Sequence, residues 1–282
     1  MSYVSFSKRK CFGCTCFLGF IFAIAQLYYL TSDSVNGYIK NIGNRLKLYQ
    51  HLLRHDFSAE MRYDDFLEYA VNKDHIHYKR CSIVGNGGIL KKSGCGSDID
   101  KADYVFRANL PWIRNFTEDA GKKTNFTTFN PSIIRTRYHN KLSELKKDLD
   151  AYQGHLMFSR TERMKGVKRT FLSYVRKNTT LIDLEIDLNY SFAVQTFWLC
   201  NKSATSGLML VSLALTRCDE LHLFGFWPFD TDEEGNDIPF HYTEDIKWKK
   251  SVARTHYMPY EFQILKELHT KGVLELHIGK CE

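Results

Sequence analysis

Cys81–Pro111 reads CSIVGNGGILKKSGCGSDIDKADYVFRANLP. A short apolar run, Ile83-Val84, breaks into Gly85-Asn86-Gly87-Gly88, and a second β-like run, Tyr104-Val105-Phe106, ends in Arg107-Ala108-Asn109-Leu110. An apolar strand, a glycine loop and polar strand ends are how an α/β protein builds a phosphate or nucleotide site. Glycine lets backbone approach a ligand because no Cβ intervenes. Asn86 and Asn109 stand just past the two runs, where their amides can meet a nucleotide. A dinucleotide fingerprint, G-x-G-x-x-G, is the rival reading. Gly85 and Gly87 fit it, but Leu90 occupies the third glycine position, so it fails.

Further along, Thr205-Ser206-Gly207 precedes an apolar run of helix length, Leu208–Leu215. Small hydroxyl residues there predict a capped helix N-terminus, whose free N–H groups and positive dipole end bind phosphate or carboxylate. Asp219–Phe229 follows as a buried strand and an aromatic turn ending Gly225-Phe226-Trp227-Pro228-Phe229. Two compact polar stretches come last, His241-Tyr242-Thr243-Glu244 and His256-Tyr257-Met258-Pro259-Tyr260-Glu261. Histidine is the natural acid or base near neutral pH. The chain has 11 histidines, and only His241 and His256 stand in such stretches.

These four stretches, in order, resemble the long, short, third and very short sialylmotifs of eukaryotic sialyltransferases. The resemblance is strongest to the short-chain, non-polysialylating α-2,8-sialyltransferases. It is carried by Cys81, Gly85–Leu90, Cys95-Gly96, Asp100, Arg107–Pro111, Thr205–Gly207, Gly225–Phe229, His241-Tyr242 and His256-x4-Glu261. Departures are Ala108 for the family's cysteine, Thr205-Ser206 for Ser-Thr, and Thr243 for tyrosine. The resemblance implies a single α/β domain, GT-A-like in its sialyltransferase variant, with a mostly parallel sheet flanked by helices. It implies CMP-sialic acid as donor, held by Asn86, Asn109, Thr205, Ser206, Gly207 and Trp227. His256 is then the base and His241 the hydrogen-bond donor to the leaving phosphate. It implies the disulfides Cys81–Cys218 and Cys95–Cys281, with Cys200 left over.

The rest of the chain fits a secretory-pathway protein. Lys8-Arg9-Lys10 precedes the apolar run Cys11–Leu30, long enough to span about 30 Å of hydrocarbon. The positive-inside rule leaves residues 1–10 cytosolic, 11–30 as an uncleaved anchor and the rest lumenal. A cleaved signal peptide ending at Ala23-Ile24-Ala25 is the rival, opposed by the apolar Leu27–Leu30 beyond it. Residues 31–79 read as a stem and 80–282 as the catalytic domain. Asn115, Asn125, Asn178, Asn189 and Asn201 each open a glycosylation triplet, against about two expected by chance. By family resemblance the location is the Golgi membrane, single-pass type II, with a sialylated glycolipid (ganglioside) or glycoprotein as acceptor.

The net charge of +7 suits an anionic partner. No basic run or nucleic-acid motif is visible, so anionic sugars and nucleotides are the expected class, and nucleic acid is not. The acidic pairs Asp98/Asp100 and Asp230/Asp232 could pass for metal ligands. A monophosphate leaving group does not need an ion to neutralise it, so they read as solvated or capping carboxylates and no metal is expected. A homodimer stays open. So do α-2,6 or α-2,3 transfer and an inert lumenal glycan-binding protein on the same fold, for which Thr243 leaves room.

Overall fold

The computed structural model describes residues 77–159, 165–186, 188–244 and 254–281. The tail 1–10, the anchor 11–30 and nearly all of the stem lie outside the described residues. Among the described residues no helix is long and apolar enough to cross a membrane.

Among the described residues seven strands form one sheet: β1 (Tyr78–Val84), β2 (Tyr104–Arg107), β3 (Phe126–Phe129), β4 (His155–Ser159), β5 (Ile182–Ile186), β6 (Cys218–Phe224) and β7 (Glu275–His277). Their order is β5-β4-β3-β2-β1-β6-β7, and every pairing is parallel. Parallel strands are buried on both faces, and β2, nearly all of β6 and the last four residues of β1 are buried accordingly. Tyr78, counted with the stem in the sequence reading, pairs with Cys218 and packs on the Tyr104 ring.

Among the described residues eight α-helices connect the strands. They are α1 (Gly96–Asp100), α2 (Thr117–Ala120), α3 (Ser132–Thr136), α4 (Leu142–Asp148), α5 (Lys165–Asn178), α6 (Leu188–Phe197), α7 (Ser206–Leu215) and α8 (Met258–Thr270). α7 is buried from Leu208 to Leu215, as its uninterrupted apolar sequence requires. With α6 and α8 it covers one face of β1, β2 and β6. A second cluster, containing Val84, Val105, Phe224, Ile99 and Tyr242, fills the opposite face. The inner strands β3 and β4 carry a third core against α3, α4 and α5.

From β1 the chain runs outward to β5 and returns to lay β6 on the other side of β1. The β1–β6 boundary is therefore the switch point, where open α/β sheets bind ligands beyond the strand ends. Cys81–Cys218 bonds these two strands with Cα atoms 6.0 Å apart, closing a separation of 137 residues. Cys95–Cys281 ties the start of α1 to the tail after β7. Cys200 is a half-buried free thiol whose pKa is pushed up to about 12 by burial and the nearby Glu261 carboxylate, so it stays protonated and inert.

Of the glycosylation triplets, Asn115, Asn178 and Asn201 are exposed, and Asn189 lies in α6. Asn125 is different. It is half-buried, its carboxamide oxygen accepts from the Val105 N–H at 2.9 Å, and Thr127 of its triplet is fully buried. The sheet thus uses side chains of that triplet.

Candidate functional site

Three chain segments meet above the switch point. The loop after β1 carries Gly85–Gly88, the loop after β2 carries Ala108–Leu110, and the N-terminus of α7 carries Thr205 and Ser206. The glycines are required by packing within the protein as well. A Cβ on Gly85 or Gly87 would lie 2.5 or 2.6 Å from the Gly225 carbonyl oxygen, and one on Gly88 would lie 1.7 Å from that of Pro239. They let the loops after β1 and β6 pack backbone to backbone. Gly225 itself has φ +73°, which only glycine adopts freely.

Asn86 joins two of the segments. Its side-chain amide donates to the Ala108 carbonyl at 2.9 Å. Its carboxamide oxygen is buried without a hydrogen-bond partner in the protein. Asn109 has φ +61° and Leu110 φ +43°, a left-handed turn that asparagine tolerates better than most residues. Arg137, a residue the motif reading missed, donates to both the Asn109 and Leu110 carbonyls and holds that turn. The Asn109 side-chain oxygen accepts from Thr128 Oγ1 at 3.2 Å and from Ser206 Oγ at 3.4 Å. Asn109 thus touches the α7 N-terminus directly.

Thr205 caps α7, its Oγ1 accepting from the Leu208 N–H at 3.1 Å. Glu261 of α8 accepts from the Thr205 backbone N–H at 2.9 Å and from its hydroxyl at 2.5 Å. This carboxylate is buried, and burial raises its pKa from 4.5 to about 7 against the pull of the two Thr205 bonds. Glu261 therefore fixes the α7 N-terminus to the start of α8. A Cβ on Gly207 would lie 2.9 Å from the Phe226 ring, so the helix also packs tightly on the loop after β6.

Both motif histidines border this crevice. His256 Nδ1 lies 2.7 Å from the Ser203 carbonyl oxygen, two residues before the α7 cap. A carbonyl can only accept, so Nδ1 carries the proton and Nε2 of the neutral ring keeps its lone pair. His241 forms an antiparallel bridge with Gly87, and its ring stacks on Phe240 at 4.6 Å. The next residue, Tyr242, donates its backbone N–H to the Asn86 carbonyl at 3.0 Å. Trp227 donates its indole N–H to the Thr231 carbonyl and packs edge-on against Phe229 and Phe262.

Three of the four carboxylates in the acidic pairs are engaged within the protein. Asp98 pairs with Lys101, Asp100 accepts from the Lys122 and Lys123 N–H groups, and Asp232 accepts from those of Glu234 and Asn236.

A crevice at the switch point of an open α/β sheet, bordered by a helix N-terminus and two histidines, lies where such sheets bind ligands. Residues 32–273 match the model of glycosyltransferase family 29 (sialyltransferase), and the chain belongs to that family. It is 39% identical over 216 residues to an alpha-N-acetylneuraminide alpha-2,8-sialyltransferase of Xenopus tropicalis, covering 72% of this chain and 62% of that protein. It is 35% identical over 225 residues to alpha-2,8-sialyltransferase 8E of Rattus norvegicus, covering 72% and 57%. The chain thus spans less than two thirds of the length of these relatives. Two structures of a mammalian sialyltransferase, one in complex with Gal-beta-1-3GalNAc-ortho-nitrophenol, share its fold with TM-scores of 0.51 and 0.52. Both are 21% identical, and the match covers 82% of this chain and 85% of theirs.

Proposed function

We propose that this protein is an inverting α-2,8-sialyltransferase that moves sialic acid from CMP-sialic acid onto a sialylated glycan. What carries the reading is the convergence of Asn86, Asn109, the Thr205–Gly207 cap, His241 and His256 at one crevice, in a chain whose relatives bear that name. In this reading the α7 N-terminus and Ser206 hold the donor's anionic groups. The buried Asn86 oxygen accepts from the nucleotide, and Trp227 lies against it. The unpartnered oxygen supports that role, because burying an acceptor without a donor is costly.

The acceptor hydroxyl attacks the anomeric carbon on the face opposite CMP. Its proton passes to His256 Nε2, and the anomeric C–O bond breaks with its electron pair leaving on the CMP phosphate. His241 donates a hydrogen bond to that phosphate as negative charge grows there. A preorganised donor of this kind is worth about 3–4 kcal/mol in other enzymes. The leaving group is a monophosphate, so this chemistry needs no divalent ion.

Incubating the protein with CMP-sialic acid is expected to release CMP when a sialylated acceptor is added, and to do so undiminished in excess EDTA. Loss of turnover in EDTA with rescue by Mn²⁺ would overturn the metal-free mechanism. Absence of CMP release with every glycolipid and glycoprotein acceptor would favour the glycan-binding alternative. Comparing acceptors with and without a terminal sialic acid separates α-2,8 transfer from α-2,6 or α-2,3 transfer.

The same reading places the domain in the Golgi lumen behind a type II anchor, supported by Lys8-Arg9-Lys10 before Cys11–Leu30 and the glycosylation triplets after it. Glycosidase treatment of the expressed chain is then expected to lower its apparent mass. An unchanged mass, with proteolysis from the cytosolic side of intact vesicles, would refute that topology.

A further inference from the structure

At the β6–β7 edge of the sheet, three ligand-bearing side chains converge. His222 Nδ1 lies 3.0 Å from His277 Nε2 and 3.1 Å from Glu275 Oε2, and the last two atoms are 3.9 Å apart. The strand register accounts for this. His222 pairs with Glu275 and Phe224 with His277, so all three side chains rise from one face of two adjacent strands. The His277 ring is held flat on Phe224, with centroids 4.3 Å apart and planes 3° from parallel. None of these residues belongs to the crevice described above.

We propose that His222, Glu275 and His277 form a binding site for a divalent transition ion of zinc-like chemistry. Two imidazoles and a carboxylate are the donor set that such ions take, and a tetrahedral ion with bonds of about 2.0–2.1 Å sets neighbouring donors roughly 3.3–3.4 Å apart. The observed separations straddle that value, so an ion can enter with small side-chain shifts. His222 is buried, His277 half-buried and Glu275 63% exposed on its side chain, so one side is open for a water ligand.

A further observation points to the same place. In the neighbouring strand Ser82 pairs with His222, on the same face of the sheet. It is fully buried, and its hydroxyl has no hydrogen-bond partner in the protein. A polar group beside the cluster is thus left for a ligand or an ion-bound water. The charges facing the cluster are mixed. Arg80 of β1 opposes a cation, whereas Glu220 of β6, Asp98 of α1 and Glu275 itself favour one. The ion would clamp β7, three residues long, to β6 just ahead of the Cys95–Cys281 tether. Its role is to hold the sheet edge and the C-terminal tail, outside the transfer chemistry.

The test is calorimetric titration of untagged, full-length, EDTA-stripped protein with ZnCl₂. Wild type is expected to bind one Zn²⁺ per chain, and Tm is expected to rise by about 5–10 °C at roughly a hundredfold excess over Kd. Glu275→Gln is expected to weaken Zn²⁺ by about tenfold or more, and His277→Gln by about a hundredfold. Co²⁺ bound in the same place should give the visible absorption of a four-coordinate ion, lost in His277→Gln. No stoichiometric binding by wild type would show the His222–His277 contact to be a plain hydrogen bond and end the proposal. Equal affinity in wild type and Glu275→Gln would place any bound ion elsewhere and overturn it as well. Glu275 is exposed, so its variant folds and decides the matter even if His277→Gln does not.

Discussion

His256→Ala is expected to lower turnover by about 10²–10⁴-fold, the range that general-base assistance contributes. The expectation follows from one contact. The Ser203 carbonyl takes the Nδ1 proton at 2.7 Å, which leaves the Nε2 lone pair as the basic atom of the ring. A sugar hydroxyl is a weak nucleophile until its proton has somewhere to go. CMP affinity should change little, since Asn86, Asn109, Ser206 and the Thr205–Glu261 pair are untouched. His256→Gln keeps a side-chain donor toward Ser203 but has no useful base, so it should lose turnover to a similar extent. A packing role for His256 predicts otherwise: both variants would lose Tm or nucleotide affinity together with activity. Measuring turnover, CMP affinity and Tm on the same preparations separates the two. Near-normal turnover in a folded His256→Ala protein would remove this residue from the mechanism.

Much of the crevice was readable because its residues fall in contiguous motifs. Asn86 and Asn109 each follow an apolar run, and strand ends are where α/β sheets present ligands-binding groups. Thr205 precedes an apolar run of helix length and does cap α7. The parts that were not readable are contacts between distant segments. Nothing in the sequence joins Arg137 to the carbonyls of Asn109 and Leu110, or Thr128 to the Asn109 side chain. Those pairings exist only once β2 and β3 lie side by side. The glycine loop meets a second demand that the sequence does not show: the missing side chains of Gly85, Gly87 and Gly88 make room for the Gly225 and Pro239 backbone. The local pattern announces a close approach without saying what approaches. His222 and His277 carried no signal either, because 55 residues separate them and only the register of β6 against β7 brings them together.

Glu261→Ala is expected to weaken CMP binding by about tenfold or more and to lower stability, because two buried donors of Thr205 lose their acceptor at roughly 1–3 kcal/mol each. The effect on nucleotide arises through position: Glu261 holds the Thr205 amide and hydroxyl, and Thr205 sets the first turn of α7. A second signature comes from pH. Burial raises the folded-state pKa of Glu261 from 4.5 to about 7, so between those values the folded protein holds a proton that the unfolded chain releases. Stability from this group is fully present below about pH 4.5, declines as pH rises through about 7, and is flat above. At about 1.4 kcal/mol per pH unit the whole decline is on the order of 3 kcal/mol. Glu261→Gln cannot ionise. Its Tm should therefore fall less than that of wild type between pH 5 and 7.5, and the difference isolates this residue because every other titrating group is common to both proteins. Gln also offers Thr205 only one acceptor oxygen, so its CMP affinity should lie between those of wild type and Glu261→Ala. Parallel Tm–pH curves for wild type and Glu261→Gln would show that the carboxyl does not titrate in this window. Unchanged CMP affinity in Glu261→Ala would show that the α7 N-terminus keeps its place without it, and that the link between α8 and the donor crevice carries no function.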